Sequence, residues 1–147
     1  MNIFIDSSVI VEYIKDNRTE VLEKLISSKH ELFVNGIVFS EFMFYYLSVI
    51  GEKSPLTIKE NKQIKTLIEK HNPIDLFSYF NALSIDNETL TLSYEFMKKY
   101  NLLPNDAIIL ATLKLNEIEN FATFDKSDFD FPCKSENINL ISSVEDI

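Results

Sequence analysis

Asn2-Ile3-Phe4-Ile5-Asp6-Ser7-Ser8, followed by Val9, Val11, Tyr13 and Ile14, decides the fold. The apolar run at its start reads as a short buried strand. Ser7 or Ser8 can then cap a helix whose apolar side carries the four later residues. Asp6 is therefore placed at the carboxyl end of a strand and directly before a helix. The same alternation continues outward. A second helix is expected over Val21, Leu22, Leu25 and Ile26, then a strand Glu31-Leu32-Phe33-Val34, then a helix from about Ile37 to Ile50 stopped at Gly51.

Between Thr57 and Asn72 the spacing of Ile58, Ile64, Leu67 and Ile68 predicts one amphipathic helix, ended by Pro73. Ile74 to Phe80 reads as helical as well. A short strand Ala82-Leu83-Ser84-Ile85 precedes a cap at Asp86 or Asn87 and a helix carrying Leu90, Tyr94, Met97 and Tyr100. Beyond Pro104 comes a helix from about Asn105 to Leu115, and Asn120–Thr123 and Ile138–Ile141 supply two more strands. Strands alternating with helices of this length imply an α/β fold with a largely parallel sheet covered on both faces. Such sheets bind ligands beyond the carboxyl ends of their strands, at a topological switch point.

A chain of 147 residues, 46% hydrophobic and 25% charged with two glycines, has the size and composition of one globular domain, residues 1–147. That length buries roughly 70% of the surface the unfolded chain exposes. Cys133 is the only cysteine, so an intrachain disulfide and a thiolate metal cluster are excluded. No basic leader and no apolar run of membrane-spanning length is present, and a soluble cytoplasmic protein with no membrane partner is expected. The net charge of -9 opposes contact with nucleic acid, for which phosphate neutralisation usually supplies most of the affinity.

Four acids interrupt or abut segments that otherwise read as core. They are Asp6 after Ile3-Phe4-Ile5, Glu41 within Phe39-Ser40-Glu41-Phe42, Asp106 before Ala107-Ile108-Ile109-Leu110, and Asp125 after Phe121-Ala122-Thr123-Phe124. Two unit charges about 4 Å apart repel by roughly 4 kcal/mol at an effective dielectric near 20, so a gathering of four acids calls for a compensating cation. Mg²⁺ or Mn²⁺, which take oxygen ligands and tolerate water in the remaining positions, suit it. Each acid also has a plainer reading. Asp6 can be a helix cap, Glu41 can occupy an exposed stripe, Asp106 can serve the helix dipole with Asn105 as cap, and Asp125 can open a polar turn through Lys126, Ser127 and Asp128. Those readings weaken jointly, because this architecture brings all four positions to one edge.

Around the acids, Ser7 can cap a helix or bond a ligand oxygen, Thr123 can do the same beside Asp125, and Asp128 is a candidate for a role one layer out from a metal. His30 and His71 have no acid or cysteine at ligand spacing and receive no role. Lys53, Lys59, Lys62, Lys65 and Lys70 outnumber Glu52, Glu60 and Glu69 between Gly51 and Lys70. Lys59, Lys62 and Lys65 are the candidates for RNA contact there, against the plainer reading of a solvated helix face.

Taken together, Ile3-Phe4-Ile5-Asp6-Ser7-Ser8, Ser40-Glu41, Asn105-Asp106-Ala107-Ile108-Ile109-Leu110-Ala111 and Thr123-Phe124-Asp125-Lys126-Ser127-Asp128-Phe129 resemble a PIN domain, and at this size the VapC-type toxins. The resemblance spans almost the whole chain. It implies a three-layer α/β/α fold around a central, mostly parallel sheet and an endoribonuclease dependent on Mg²⁺ or Mn²⁺. It also implies a catalytic quartet matched by Asp6, Glu41, Asp106 and Asp125, with hydroxyls matched by Ser7 and Thr123. A homodimer and a small antitoxin partner are implied too. In this reading Asp6, Asp106 and Asp125 hold metal, and Glu41 acts through water or orients the nucleophile. Rival readings are a PIN-type processing nuclease without an antitoxin, a non-catalytic RNA-binding domain, and a phosphate-accepting signalling domain. The last fits worse, because it needs adjacent acids after the first strand where this chain has Ile5-Asp6-Ser7.

Overall fold

A computed structural model describes residues 1–147. Five strands, β1 (Asn2–Ile5), β2 (Glu31–Asn35), β3 (Asn81–Leu83), β4 (Asn120–Ala122) and β5 (Asn139–Ile141), form one sheet in the order β3-β2-β1-β4-β5. Every neighbouring pair is parallel, with Phe4 opposite Phe33 on one side and Phe121 on the other. Ile3, Phe4 and Ile5 of the central strand are wholly buried. An unbroken apolar run is what a parallel strand covered on both faces requires.

Helices flank this sheet: α1 (Ser7–Ile14), α2 (Thr19–Ser27), α3 (Gly36–Gly51), α4 (Pro55–Glu60), α5 (Ile64–His71), α6 (Ile74–Phe77), α7 (Asn87–Tyr100), α8 (Pro104–Leu115) and α9 (Lys126–Ser135). Connections run from β1 outward to β2 and β3, then return to β4 on the other side of β1. The switch point therefore lies between the carboxyl ends of β1 and β4, the place where open α/β sheets take ligands. No helix is long and apolar enough to cross a membrane.

Several expected elements change in detail. The single helix over Thr57–Asn72 is two helices, α4 and α5, separated where Lys62 takes a left-handed backbone (φ 56°). Gln63 N–H then bonds back to Ile58 O. Gly51 ends α3 for a reason other than backbone freedom. The left-handed residue is Glu52 (φ 51°), whereas a Cβ on Gly51 would lie 2.5 Å from Ile58 Cδ1 and 3.0 Å from Leu67 Cδ1. Gly51 thus lets α4 and α5 close against α3. The third expected strand is shorter and begins at Asn81, and Asp86 caps α7 through a bond from Thr89 N–H (2.9 Å).

Asp125-Lys126-Ser127-Asp128 is the entry to α9 rather than a free turn. Pro132 lies inside that helix, where it has no N–H to give, and a proline seven residues along conceals the helix in the sequence.

Candidate active site

Asp6 follows β1 at the N-cap position of α1, yet its side chain makes no cap bond. Its Oδ2 instead accepts from Ser8 Oγ (2.6 Å) and from Thr123 Oγ1 (2.8 Å). Asp6 as a whole is 5% exposed. Burial raises its pKa above the ordinary aspartate value, the two hydroxyls pull it back, and the charge of Glu41 raises it again. Thr123, wholly buried past the end of β4, also accepts from Asp125 N–H (3.0 Å), while its own N–H bonds Ile141 O (3.0 Å). One threonine hydroxyl therefore orients the Asp6 carboxylate and fixes the backbone of Asp125. Asp125 Oδ1 accepts from Ser127 Oγ (2.8 Å).

Glu41 reaches the same place from α3. The helix is held at its start by Asn35, the last residue of β2, whose Oδ1 accepts from Ile37 N–H and Val38 N–H (both 3.1 Å). Glu41 Oε2 accepts from Ser7 Oγ (2.7 Å) and Oε1 from Asn105 Nδ2 (2.7 Å), so both carboxylate oxygens are engaged. Asp106 enters from the first turn of α8, half-buried, and no side chain donates to it. Its pKa is pushed up to about 6, first by burial and then by the charges of Asp128, Asp6, Glu41 and Asp125. Each of the other acids therefore acts on Asp106.

All four expected acids line one cleft of about 630 Å³ at the switch point. None forms an ion pair with a lysine or arginine. Asp128 is outside the lining, although its charge weighs on Asp106. Lys59, Lys62 and Lys65 are also outside it, and Lys65 faces Glu69 at 3.8 Å. The cations that do line the cleft are Lys15 and Arg18.

Ser8 and Asn105 are site residues that a capping reading conceals. Asn105 lies inside α8, because Leu103 takes the N-cap position and Pro104 the first turn, which frees its amide to hold Glu41. Ser8 accepts from Phe124 N–H (3.1 Å) as well as bonding Asp6. Their only local signal is adjacency to Ser7 and Asp106.

Uncompensated hard oxygen donors, one of them driven towards neutrality by burial and then by its neighbours' charges, are the donor chemistry that a Mg²⁺ or Mn²⁺ ion suits. As the side chains stand, no three acidic groups close round one ion position. Asp6 Oδ1, Asp125 Oδ2 and both oxygens of Asp106 carry no side-chain hydrogen bond and are the free donors.

Fold and cleft together define an α/β protein built to gather carboxylates beyond the edge of a parallel sheet. Residues 3–131 match the model of the PIN domain, and the chain belongs to that family. It is 34% identical over 125 residues to Ribonuclease VapC2 of Methanocaldococcus jannaschii, covering 84% of each chain. To Ribonuclease VapC6 of the same organism it is 40% identical over 140 residues, covering 88% of this chain and 91% of that one. Among solved structures the fold is similar to VapBC-1 from nontypeable Haemophilus influenzae, with TM-score 0.64 and 14% identity over 97% of this chain and 98% of that one. A toxin-antitoxin complex from Klebsiella pneumoniae gives TM-score 0.60 and 21% identity, covering 95% of each chain.

Proposed function

We propose that this chain is a divalent-metal-dependent endoribonuclease of the VapC kind, the toxin of a toxin-antitoxin pair. The observation that carries the reading is the convergence of Asp6, Glu41, Asp106 and Asp125 on one cleft with no cation paired to any of them. The two relatives named as ribonucleases at 34% and 40% identity support the chemistry.

Asp6, Asp106 and Asp125 would hold Mg²⁺ or Mn²⁺, and the ion would supply an activated water and stabilise charge on the phosphate in an in-line attack on an RNA phosphodiester. Ser8 and Thr123 hold the Asp6 carboxylate by one oxygen and leave the other without a side-chain hydrogen bond. Ser7 and Asn105 fix Glu41 between α1 and α8, where it can orient the attacking water. The half-buried cleft strengthens these interactions by limiting solvent.

The test is cleavage of RNA by the purified chain with Mg²⁺ or Mn²⁺, with EDTA, and after Asp106→Asn. Products bearing 5′-phosphate, abolished by EDTA and by the substitution, are expected. Undiminished cleavage in EDTA, or 2′,3′-cyclic phosphate ends, would overturn the metal-dependent mechanism.

The partner reading extends to a homodimer and a small antitoxin. Part of the aromatic surface of α3 is covered within the chain, since Phe77 packs its ring on Phe39 and Phe42 and Tyr46 Oη donates to Leu67 O (2.9 Å). Phe44 and Tyr45 remain more than half exposed, as do Ile74 and Tyr79. Apolar surface of this kind supports association. Light scattering tests the dimer, and co-purification from the native host tests the antitoxin; an active nuclease recovered without a small partner would favour a processing enzyme.

A further inference from the structure

We propose that Arg18 is a substrate-binding residue that grips a backbone phosphate of the RNA strand lying in the acidic cleft, an inference that rests on the ribonuclease reading above. Arg18 is the only arginine in the chain and lies in the turn between α1 and α2. Its backbone is left-handed (φ 49°), as is that of Asp16 (φ 56°). That conformation is uncommon for a residue with a long side chain.

The guanidinium is placed by two contacts. Cζ lies 3.4 Å from the centroid of the Phe124 ring, and Nη2 donates to Ser142 O (3.0 Å). Phe124 stands between Thr123 and Asp125, so the arginine rests on the residue that precedes one of the acids and lines the cleft that all four share. One face and one N–H are used by the protein, and the remaining edge of the guanidinium is left for a ligand.

Arg18 is also the cleft cation without an acidic partner. Lys15 Nζ bonds Glu12 Oε1 at 2.6 Å, and Asn17 Nδ2 bonds the other Glu12 oxygen. Glu12 accordingly titrates below its ordinary value, chiefly through the Lys15 bond, with the charge of Arg18 contributing least among the causes. No carboxylate lies within 4.0 Å of the Arg18 guanidinium.

A phosphodiester approaching four acids is repelled, and a chain of net charge -9 has little basic surface to offset that. A permanently charged fork held beside the acids offsets it locally. Arginine suits the task because its planar N–H array matches two phosphate oxygens, and its stacking on Phe124 removes much of the side-chain freedom that binding would otherwise cost. The reacting phosphate belongs to the acids, so the phosphate held by Arg18 is a neighbouring one.

The experiment is steady-state cleavage of a random-sequence single-stranded RNA pool by the full chain with Mg²⁺ or Mn²⁺, at a series of KCl concentrations. Wild type is compared with Arg18→Gln and Arg18→Lys, and thermal melts are recorded in parallel. Arg18→Gln is expected to raise KM about tenfold with a smaller effect on kcat, and to reduce the slope of log(kcat/KM) against log[KCl] by about 0.7, the share of one phosphate contact on a single strand. Arg18→Lys is expected to restore the slope but only part of KM, because it keeps the charge and loses the fork. A merely structural clamp between the α1–α2 turn and Ser142 would lower the melting temperature and leave KM and slope unchanged, and that result overturns the inference while the ribonuclease reading stands. Absence of metal-stimulated cleavage by wild type overturns both.

Discussion

Asn35 Nδ2 donates to Thr112 Oγ1 at 2.9 Å in a buried contact between residues 77 apart in sequence. Asn35 closes β2 and caps α3, which carries Glu41, while Thr112 lies in α8, which carries Asp106. The bond therefore fixes the spacing of two acids supplied by separate helices. Asn35→Ala is expected to destabilise the chain by about 2–3 kcal/mol, combining a lost cap with lost buried hydrogen bonding. Asn35→Asp, which keeps the cap oxygen and loses the donor, should fall between. Urea denaturation measures both, and equal stability of all three chains would refute the role.

Asp6→Asn and Asp106→Asn should each lower RNA cleavage at least about a hundredfold while the fold survives, because each removes a charge from a cluster that repels itself. Circular dichroism checks the fold and gel analysis of RNA checks activity. Full activity in both variants would end the assignment of the quartet.

Without metal, stability should fall as pH rises through the range in which Asp106 ionises. Its folded pKa is about 6 against 3.8 as the ordinary value, so between these the folded state holds a proton the unfolded state has released. The resulting loss is complete above pH 6 or so, and is about 1–2 kcal/mol after discounting for the solvent screening of a half-buried group. Burial of Asp6 acts in the same direction. Glu12, Asp86, Glu136 and Asp146, whose values are lowered, give slopes of the opposite sign at more acidic pH. Melting curves of wild type and Asp106→Asn from pH 4 to 8 isolate the effect, and parallel pH profiles for the two would contradict it.

Mg²⁺ or Mn²⁺ should reverse that penalty. Melting temperature at pH 7.5 is expected to climb with metal concentration in the wild type and to climb less in Asp106→Asn, since an ion bound only by the folded chain stabilises it by mass action. Equal shifts in both would place any bound ion elsewhere.

Thr123→Val keeps the shape of a wholly buried side chain and removes its hydroxyl. The Asp125 N–H loses its acceptor and Asp6 loses one of its two donors. A stability cost of about 1–3 kcal/mol follows from the unsatisfied backbone donor. Cleavage should fall about tenfold or more as Asp6 loosens. Calorimetry and a cleavage assay read the two effects, and a fully active variant would show that the hydroxyl does not position the acid.

The parallel sheet was legible because its central strands read as apolar runs bounded by turn residues and most of the helices between them as a 3.6-residue period, signals carried by near neighbours in the chain. Asp6 and Asp125 were legible for the same reason, as acids that end such runs. What local patterning does not record is which distant side chains meet. Ser8 and Asn105 look like caps, and only the folded chain brings Asn105 to Glu41, 64 residues away. Arg18 looks like a lone surface cation until the connection from β4 to α9 places Phe124 beneath it. The breaks in the helical patterns misled in both directions. Lys62 ends a helix with no glycine or proline to announce it, and Pro132 lies within one.

The central position of β1 bears on when the cleft can exist during synthesis. Its neighbours are β2, made almost at once, and β4, which begins only at Asn120. Until that late segment has left the ribosome, one edge of β1 has no strand to pair with, and Asp6 lacks the hydroxyl donated from 117 residues downstream. Thr123 is itself anchored by Ile141 through its backbone, so the arrangement is complete only when nearly the whole chain is available. A growing chain therefore carries its first acid from the outset but cannot assemble the cleft around it until translation is almost finished.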